Sequence, residues 1–95
     1  MMIIVAYDIS KDDRRDAVAK TLFSMGFTRI QRSLYLGRGG LAKARDVARR
    51  LEELIDENTD IVDIILVPDH YMAKRIRVGK GVPLGAKTTP SIRVV

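Results

Sequence analysis

Asp8 is set apart by its position. It ends the apolar run Ile3-Ile4-Val5-Ala6-Tyr7, and after it the chain turns charged. An ionised carboxylate beside apolar residues is costly to bury unpaired, so Asp8 needs a cation, a hydrogen-bond donor or open water. Two readings meet that need. Asp8 caps its own loop or pairs with Arg14 or Arg15. Alternatively it ligates magnesium, which prefers oxygen, keeps several waters and needs only one or two carboxylates. One aspartate per chain is thin for a metal site. A two-fold axis near Asp8 would let two copies share one ion, which would polarise a phosphodiester and lower the pKa of its bound water.

Other chemistry is sparse. The absence of cysteine excludes disulfides, thiolate metal sites and thiol nucleophiles. His70 is the lone histidine and follows Pro68-Asp69 in a basic stretch, which suits an exposed or structural role better than a general base. Gly37-Arg38-Gly39-Gly40 precedes a helix but lacks the Lys-Ser/Thr of a phosphate loop, so a tight turn is the simpler reading. Tyr7 and Tyr35 stack on bases or serve as core or interface aromatics.

Charge is more informative. The net charge is +5, and it is unevenly spread. Arg29, Arg32, Arg38, Lys43 and Arg45 fall between residues 26 and 45 without an acid, and another acid-free basic zone runs from His70 to Val95. Such zones suit a polyanion, most simply nucleic acid. A thermophile's charged surface is the competing explanation, since arginine outnumbers lysine eleven to six.

The elements that must position these residues follow from periodicity. Ile3–Tyr7 is apolar on both faces and predicts a central, covered strand. Ser10 with Asp13 is a capping-box variant opening a helix that runs to about Met25, with Ala17, Val18, Thr21, Leu22 and Met25 buried and Gly26 as the stop. Phe27–Leu36 is β-rich with a parity change near Gln31-Arg32-Ser33, the mark of a bulge or tight hairpin. A second helix spans about Leu41–Glu57 on a stripe of Leu41, Ala44, Ala48, Leu51, Leu54 and Ile55, with Asn58 as a stop. Ile61–Val67 reads as another interior strand ended by Pro68. The order implies an α+β, ferredoxin-like βαββαβ sandwich with an additional C-terminal strand.

At 95 residues, 46% hydrophobic and 31% charged, the chain is one globular domain with a modest core. Residues 1–77 form the domain. Residues 78–95 form a glycine- and proline-containing loop and a tail strand, Ser91–Val95, expected to pair with an edge of a partner subunit in a homodimer. No apolar run approaches the ~20 residues of a membrane span. Met1-Met2-Ile3-Ile4 leads straight into a strand with no leader, so a cytoplasmic protein without a membrane partner is expected.

IIVAYDIS at 3–10, the helix bearing Arg14-Arg15, GFTRIQRSLYLG at 26–37 and the helix leading into DIVDIILVPD at 60–69 together resemble one family. It is the small adaptation family of the second numbered CRISPR-associated protein, known as endoribonucleases. The resemblance covers about the first 70 residues. It implies a ferredoxin-like homodimer, often with a C-terminal strand added to the neighbour's sheet, that joins the CRISPR integrase in capturing spacers. It also implies magnesium-dependent cleavage of single-stranded RNA or double-stranded DNA. Asp8 matches the family's metal-binding aspartate and Tyr7 the aromatic before it. Arg14 and Arg15 fall where the family often has basic residues. Arg32, Ser33 and Tyr35 lie in Gln31-Arg32-Ser33-Leu34-Tyr35, similar to its Gln-x-Ser-x-aromatic stretch. On this reading Arg14, Arg15, Arg29, Arg32 and Arg38 grip phosphates without reading bases. The reading from a different class is a non-catalytic ferredoxin-fold regulatory module that binds RNA or a protein.

Overall fold

The computed structural model describes residues 1–81. The tail strand expected at Ser91–Val95 lies outside the described residues. Seven elements follow in order: β1 (Met2–Asp8), α1 (Asp12–Ser24), β2 (Thr28–Gln31), β3 (Leu34–Arg38), α2 (Leu41–Glu52), β4 (Ile61–Val67) and a single turn, α3 (Asp69–Met72). The four strands form one antiparallel sheet ordered β2-β3-β1-β4. This is the ferredoxin-like arrangement expected from the element order.

β1 is central, flanked by β3 and β4. Its side chains alternate between faces, as a pleated strand requires. Ile3, Val5 and Tyr7 are buried beneath the helices, while Met2, Ile4 and Ala6 are half-buried on the other face. On the helix side they meet Val18 and Leu22 of α1 and Val47 and Leu51 of α2. Each such buried aliphatic contributes about 1.5–3 kcal/mol of transfer free energy.

Gly26 ends α1 as its position predicted. It takes φ +87°, its N–H bonds the Phe23 carbonyl, and Phe27 N–H returns to Leu22 at 3.0 Å. That pair of bonds is a Schellman motif, which favours glycine because a Cβ is strained there. The Phe27–Leu36 run does divide into a hairpin. The pairing slips between Arg29 and Gln31, a bulge that accounts for the parity change.

Four local expectations are corrected. The helix start is not a capping box: Lys11 occupies the N-cap without a side-chain bond, and Ser10 bonds Asp60 instead. Gly37 is not in a turn but within β3, buried, because Phe27 fills the space where a side chain would stand. α2 ends at Glu52, short of Asn58, and its buried face is Ala44, Val47 and Leu51, whereas Leu41 and Ala48 are exposed. Among the described residues β4 is an edge strand, not an interior one, and Ile61 and Ile65 on its open face are 62% and 48% exposed.

Candidate active site and nucleic-acid interface

The sheet's pleat separates the candidate site residues. Asp8 shares its parity with Met2, Ile4 and Ala6, so it faces away from the helices. It pairs with Ile61 in the last rung between β1 and β4. Its side chain is exposed and makes no hydrogen bond or ion pair among the described residues. Of the two readings for Asp8, pairing with Arg14 or Arg15 is therefore absent here, and the carboxylate stands open to water.

The open face around it is largely apolar but carries a second acid, Asp63, which is exposed and pairs with Ala6 between Ile61 and Ile65. Ile61 and Ile65 of β4 share it with Ile4 and Ala6, as the register Ile4–Ile65 and Asp8–Ile61 requires. Farther across, Ile4, Leu34 and Leu36 line a cavity of about 340 Å³ with Met72 at the end of α3 and with Arg75, Ile76, Arg77 and Val78 beyond it. Ile76 and Val78 are themselves 86% and 93% exposed. Several large apolar side chains on one face mark an interaction surface.

Tyr7 points the opposite way, into the helix side. Its ring stacks on Tyr35 at 5.8 Å between centroids, and Phe23 meets Tyr35 edge-on at 5.6 Å. Both tyrosines are buried, so their faces serve the core and not a base. Burial, and then the neighbouring Tyr7, push the Tyr35 phenol well above its ordinary value. Tyr7 lies close to the Tyr35 hydroxyl but not in hydrogen-bonding geometry, so among the described residues that hydroxyl closes no hydrogen bond. Ser33 contributes through its backbone: its carbonyl accepts the Tyr7 N–H at 3.1 Å, which draws the β2–β3 turn against the end of β1.

Beside that turn, Arg15, Arg29 and Arg32 border a cleft of about 450 Å³ floored by Tyr7 and Tyr35. Asp12 and Asp16 lie on its α1 side. Arg29 Nε donates to the Arg32 carbonyl at 3.2 Å, which holds its planar head toward the turn. The Arg32 guanidinium makes no hydrogen bond or ion pair among the described residues. Arg15 donates to the Ile9 carbonyl at 2.6 Å and pairs with Asp12.

Arg14 and Arg38 are not in this cluster. Arg14 turns to Asp60, with its Nε 2.8 Å from Oδ2. Arg38, at the far end of β3 from the turn, pairs with Asp69 at 3.3 Å, and Asp69 also takes the Met1 ammonium at 3.3 Å. The five arginines grouped in the sequence thus split into three at one cleft and two held elsewhere.

Asp60 was not singled out in the sequence. Its side chain is fully buried, yet it is held ionised: the Arg14 hydrogen bond foremost, and the Asp56 and Ser10 amides, hold it far below the usual carboxylate range against the cost of burial. Its only trace in the sequence is an acid immediately before an apolar strand, a position shared by many surface aspartates.

No group of three or more histidine and acidic side chains is gathered for a metal among the described residues. A single open carboxylate fits a hydrated magnesium ion, which needs few protein ligands, and a second copy of Asp8 would complete the pair. Also among the described residues, no helix is long and apolar enough to cross a membrane.

Comparison with known proteins agrees with this architecture. The family described as CRISPR associated protein Cas2 matches residues 1–75. A CRISPR-associated endoribonuclease Cas2 from Aeropyrum pernix is 38% identical over 66 residues, covering 70% of this chain and 72% of its own. A CRISPR-associated endonuclease Cas1/endonuclease Cas2 fusion from Thermoproteus tenax is 37% identical over 86 residues, which are 90% of this chain and 32% of the fusion. The crystal structure of Streptococcus pyogenes Cas2 at pH 6.5 superposes with a TM-score of 0.69 at 27% identity, covering 83% of this chain and all of that one.

Proposed function

Because the chain belongs to the CRISPR-associated Cas2 family, we propose that it acts in CRISPR adaptation as a homodimer that holds nucleic acid by its phosphates. In this reading it is also a magnesium-dependent nuclease centred on Asp8. The observation that carries the nuclease reading is the state of Asp8: an exposed carboxylate without a partner among the described residues, at the end of the central strand, on a sheet face whose other acid is Asp63. Among the described residues nothing pairs with that charge, which leaves it available to a ligand.

Stacking two copies through the open face buries Ile61, Ile65, Ile76 and Val78 and sets one Asp8 facing the other across the axis. Magnesium bound between them would polarise a phosphodiester and make its water more acidic. The chain's own contribution is position and charge. The β2–β3 turn stands beside the Tyr7–Asp8 end of β1, so a strand laid over that end meets Arg15, Arg29 and Arg32 on one side and Asp8 on the other. Their guanidiniums are suited to phosphate by their planar donor forks. Tyr7, Ser33 and Tyr35 support the arrangement by locking the turn to the strand. The relatives' name, endoribonuclease, supports RNA as a substrate, and we take the single-stranded form as the one the cleft admits. Double-stranded DNA suits the phosphate grip equally, since neither needs base contacts. The fusion of Cas1 and Cas2 in one Thermoproteus tenax chain supports the CRISPR integrase as a partner.

Asp8→Asn tests the reading directly. The expected result is loss of magnesium-dependent cleavage of both RNA and duplex DNA, with binding of each unchanged within twofold. Equal cleavage by parent and variant would remove Asp8 from the chemistry and leave only the holding role.

A further inference from the structure

Asp60 and Ser10 stand fifty residues apart and meet just beyond the last rung of the β1–β4 ladder. That rung joins Asp8 to Ile61. Past it, on the β1 side, come Ile9 and Ser10; on the β4 side the next residue is Asp60. The backbone ladder stops here and a side chain takes over. Asp60 Oδ1 accepts the Ser10 N–H at 3.1 Å, the Ser10 hydroxyl at 3.2 Å and the Thr59 hydroxyl at 3.2 Å. Oδ2 accepts Arg14 Nε at 2.8 Å and the Asp56 N–H at 3.0 Å. Arg14 Nη2 closes a triangle by donating to Ser10 Oγ at 3.2 Å.

A buried ion pair is an inefficient way to stabilise a fold, because desolvation offsets most of the attraction. Five donors converging on one carboxylate do something different: they specify where each donor sits. Here they fix Ser10, two residues from Asp8, against the start of β4. Arg15 adds a bond to the Ile9 carbonyl from the other side. The Asp8 backbone is therefore held between a ladder rung and a side-chain clamp, while its carboxylate is left free.

We propose that Asp60, acting through Ser10 and Arg14, is a positioning residue that fixes the Asp8 backbone, and so the place from which its carboxylate reaches a divalent cation on the open sheet face. The inference rests on the reading of Asp8 as a metal ligand. It also gives Arg14 a part distinct from the phosphate-gripping arginines: orienting the loop.

The test uses the full chain, nitrogen-15 labelled, with manganese as a paramagnetic probe that reports metal binding without requiring cleavage. Asp60→Asn keeps an acceptor but loses the charge, and Arg14→Lys keeps the charge but loses the fork. In both variants the Ser10 amide should exchange at least tenfold faster, while the core Leu22 amide is unchanged. The manganese concentration that half-broadens the Asp8 amide signal should rise at least fivefold. Asp60→Glu, which restores the carboxylate one methylene displaced, should recover part of both effects. If Arg14→Lys folds and shows the parent's Ser10 exchange and manganese response, the positioning role is overturned. Asp8→Asn separates the two layers: persistent broadening in that variant would defeat the metal reading itself, whatever Asp60 does to Ser10.

Discussion

If three arginines per chain grip phosphate, binding must depend steeply on salt. Arg15, Arg29 and Arg32 border one cleft, where Arg15 can exchange its exposed partner Asp12 for phosphate, whereas Arg14 is held by the fully buried Asp60. In a dimer that makes about six phosphate contacts, and each contributes about −0.9 to the slope of log K against log salt, for a total near −5. Affinity for duplex DNA should then fall roughly a thousandfold between 50 and 200 mM salt. Arg29→Ala removes one contact per chain, so the slope should relax to about −3.6 and the fall to roughly 150-fold. Arg14→Gln removes the same formal charge from a guanidinium tied to a buried carboxylate, and should alter the slope by less than about 0.5. Fluorescence anisotropy with a labelled duplex of mixed sequence, titrated at five or six salt concentrations, measures all three slopes. A parent slope shallower than about −2 would refute the phosphate grip. An Arg14→Gln effect equal to that of Arg29→Ala would refute the division of labour among the arginines.

Four other outcomes follow from the geometry. Ile65→Asp replaces an exposed apolar side chain of the open face with a second charge beside Asp63, and should convert the dimer to monomer by sedimentation velocity while leaving the monomer's circular dichroism intact. Gly37→Ala sets a Cβ 2.7 Å from the buried Phe27 ring, and should cost about 1–3 kcal/mol in urea unfolding, as overpacking does. Tyr35→Phe removes a buried hydroxyl without a hydrogen bond, and should raise stability by roughly 1 kcal/mol. Asp60 has a folded-state pKa lowered from its ordinary value. Its stabilising effect is therefore complete above the unfolded value of about 4 and is lost as pH falls below it. Urea midpoints from pH 6 down to pH 2 should drop more steeply for the parent than for Asp60→Asn.

The sequence made the fold largely legible because its signals were local. Gly26 sits where a Schellman turn needs it, the parity change at Gln31-Arg32-Ser33 is a bulged hairpin, and the alternation of helices and strands leaves few topologies. What failed was non-local. Ile61–Val67 read as interior because an apolar run does not say whether helices or another subunit cover its second face. Ser10 and Asp13 have capping-box spacing, but Ser10 is drawn to an acid fifty residues away. The α2 stripe drifted in phase because alanines are weak markers of burial: Ala48 is exposed while Val47 carries the packing. For the site, Asp8 was visible from its type and place in the strand. Its separation from Tyr7 by the thickness of the sheet follows from the pleat. The split of the arginines between cleft and clamp does not, because it depends on partners distant in the chain.

β1 gives neighbouring residues opposite assignments, with Tyr7 turned inward and Asp8 turned outward. That makes the strand intolerant of any change in length. Deleting or inserting one residue between Met2 and Asp8 would invert every strand residue on one side of the change, turning Ile3 or Val5 into water at one flank or Asp8 beneath the helices at the other. Insertions and deletions should therefore be accommodated only in the connections, and this strand should serve as the fixed ruler against which other chains of the same architecture are aligned.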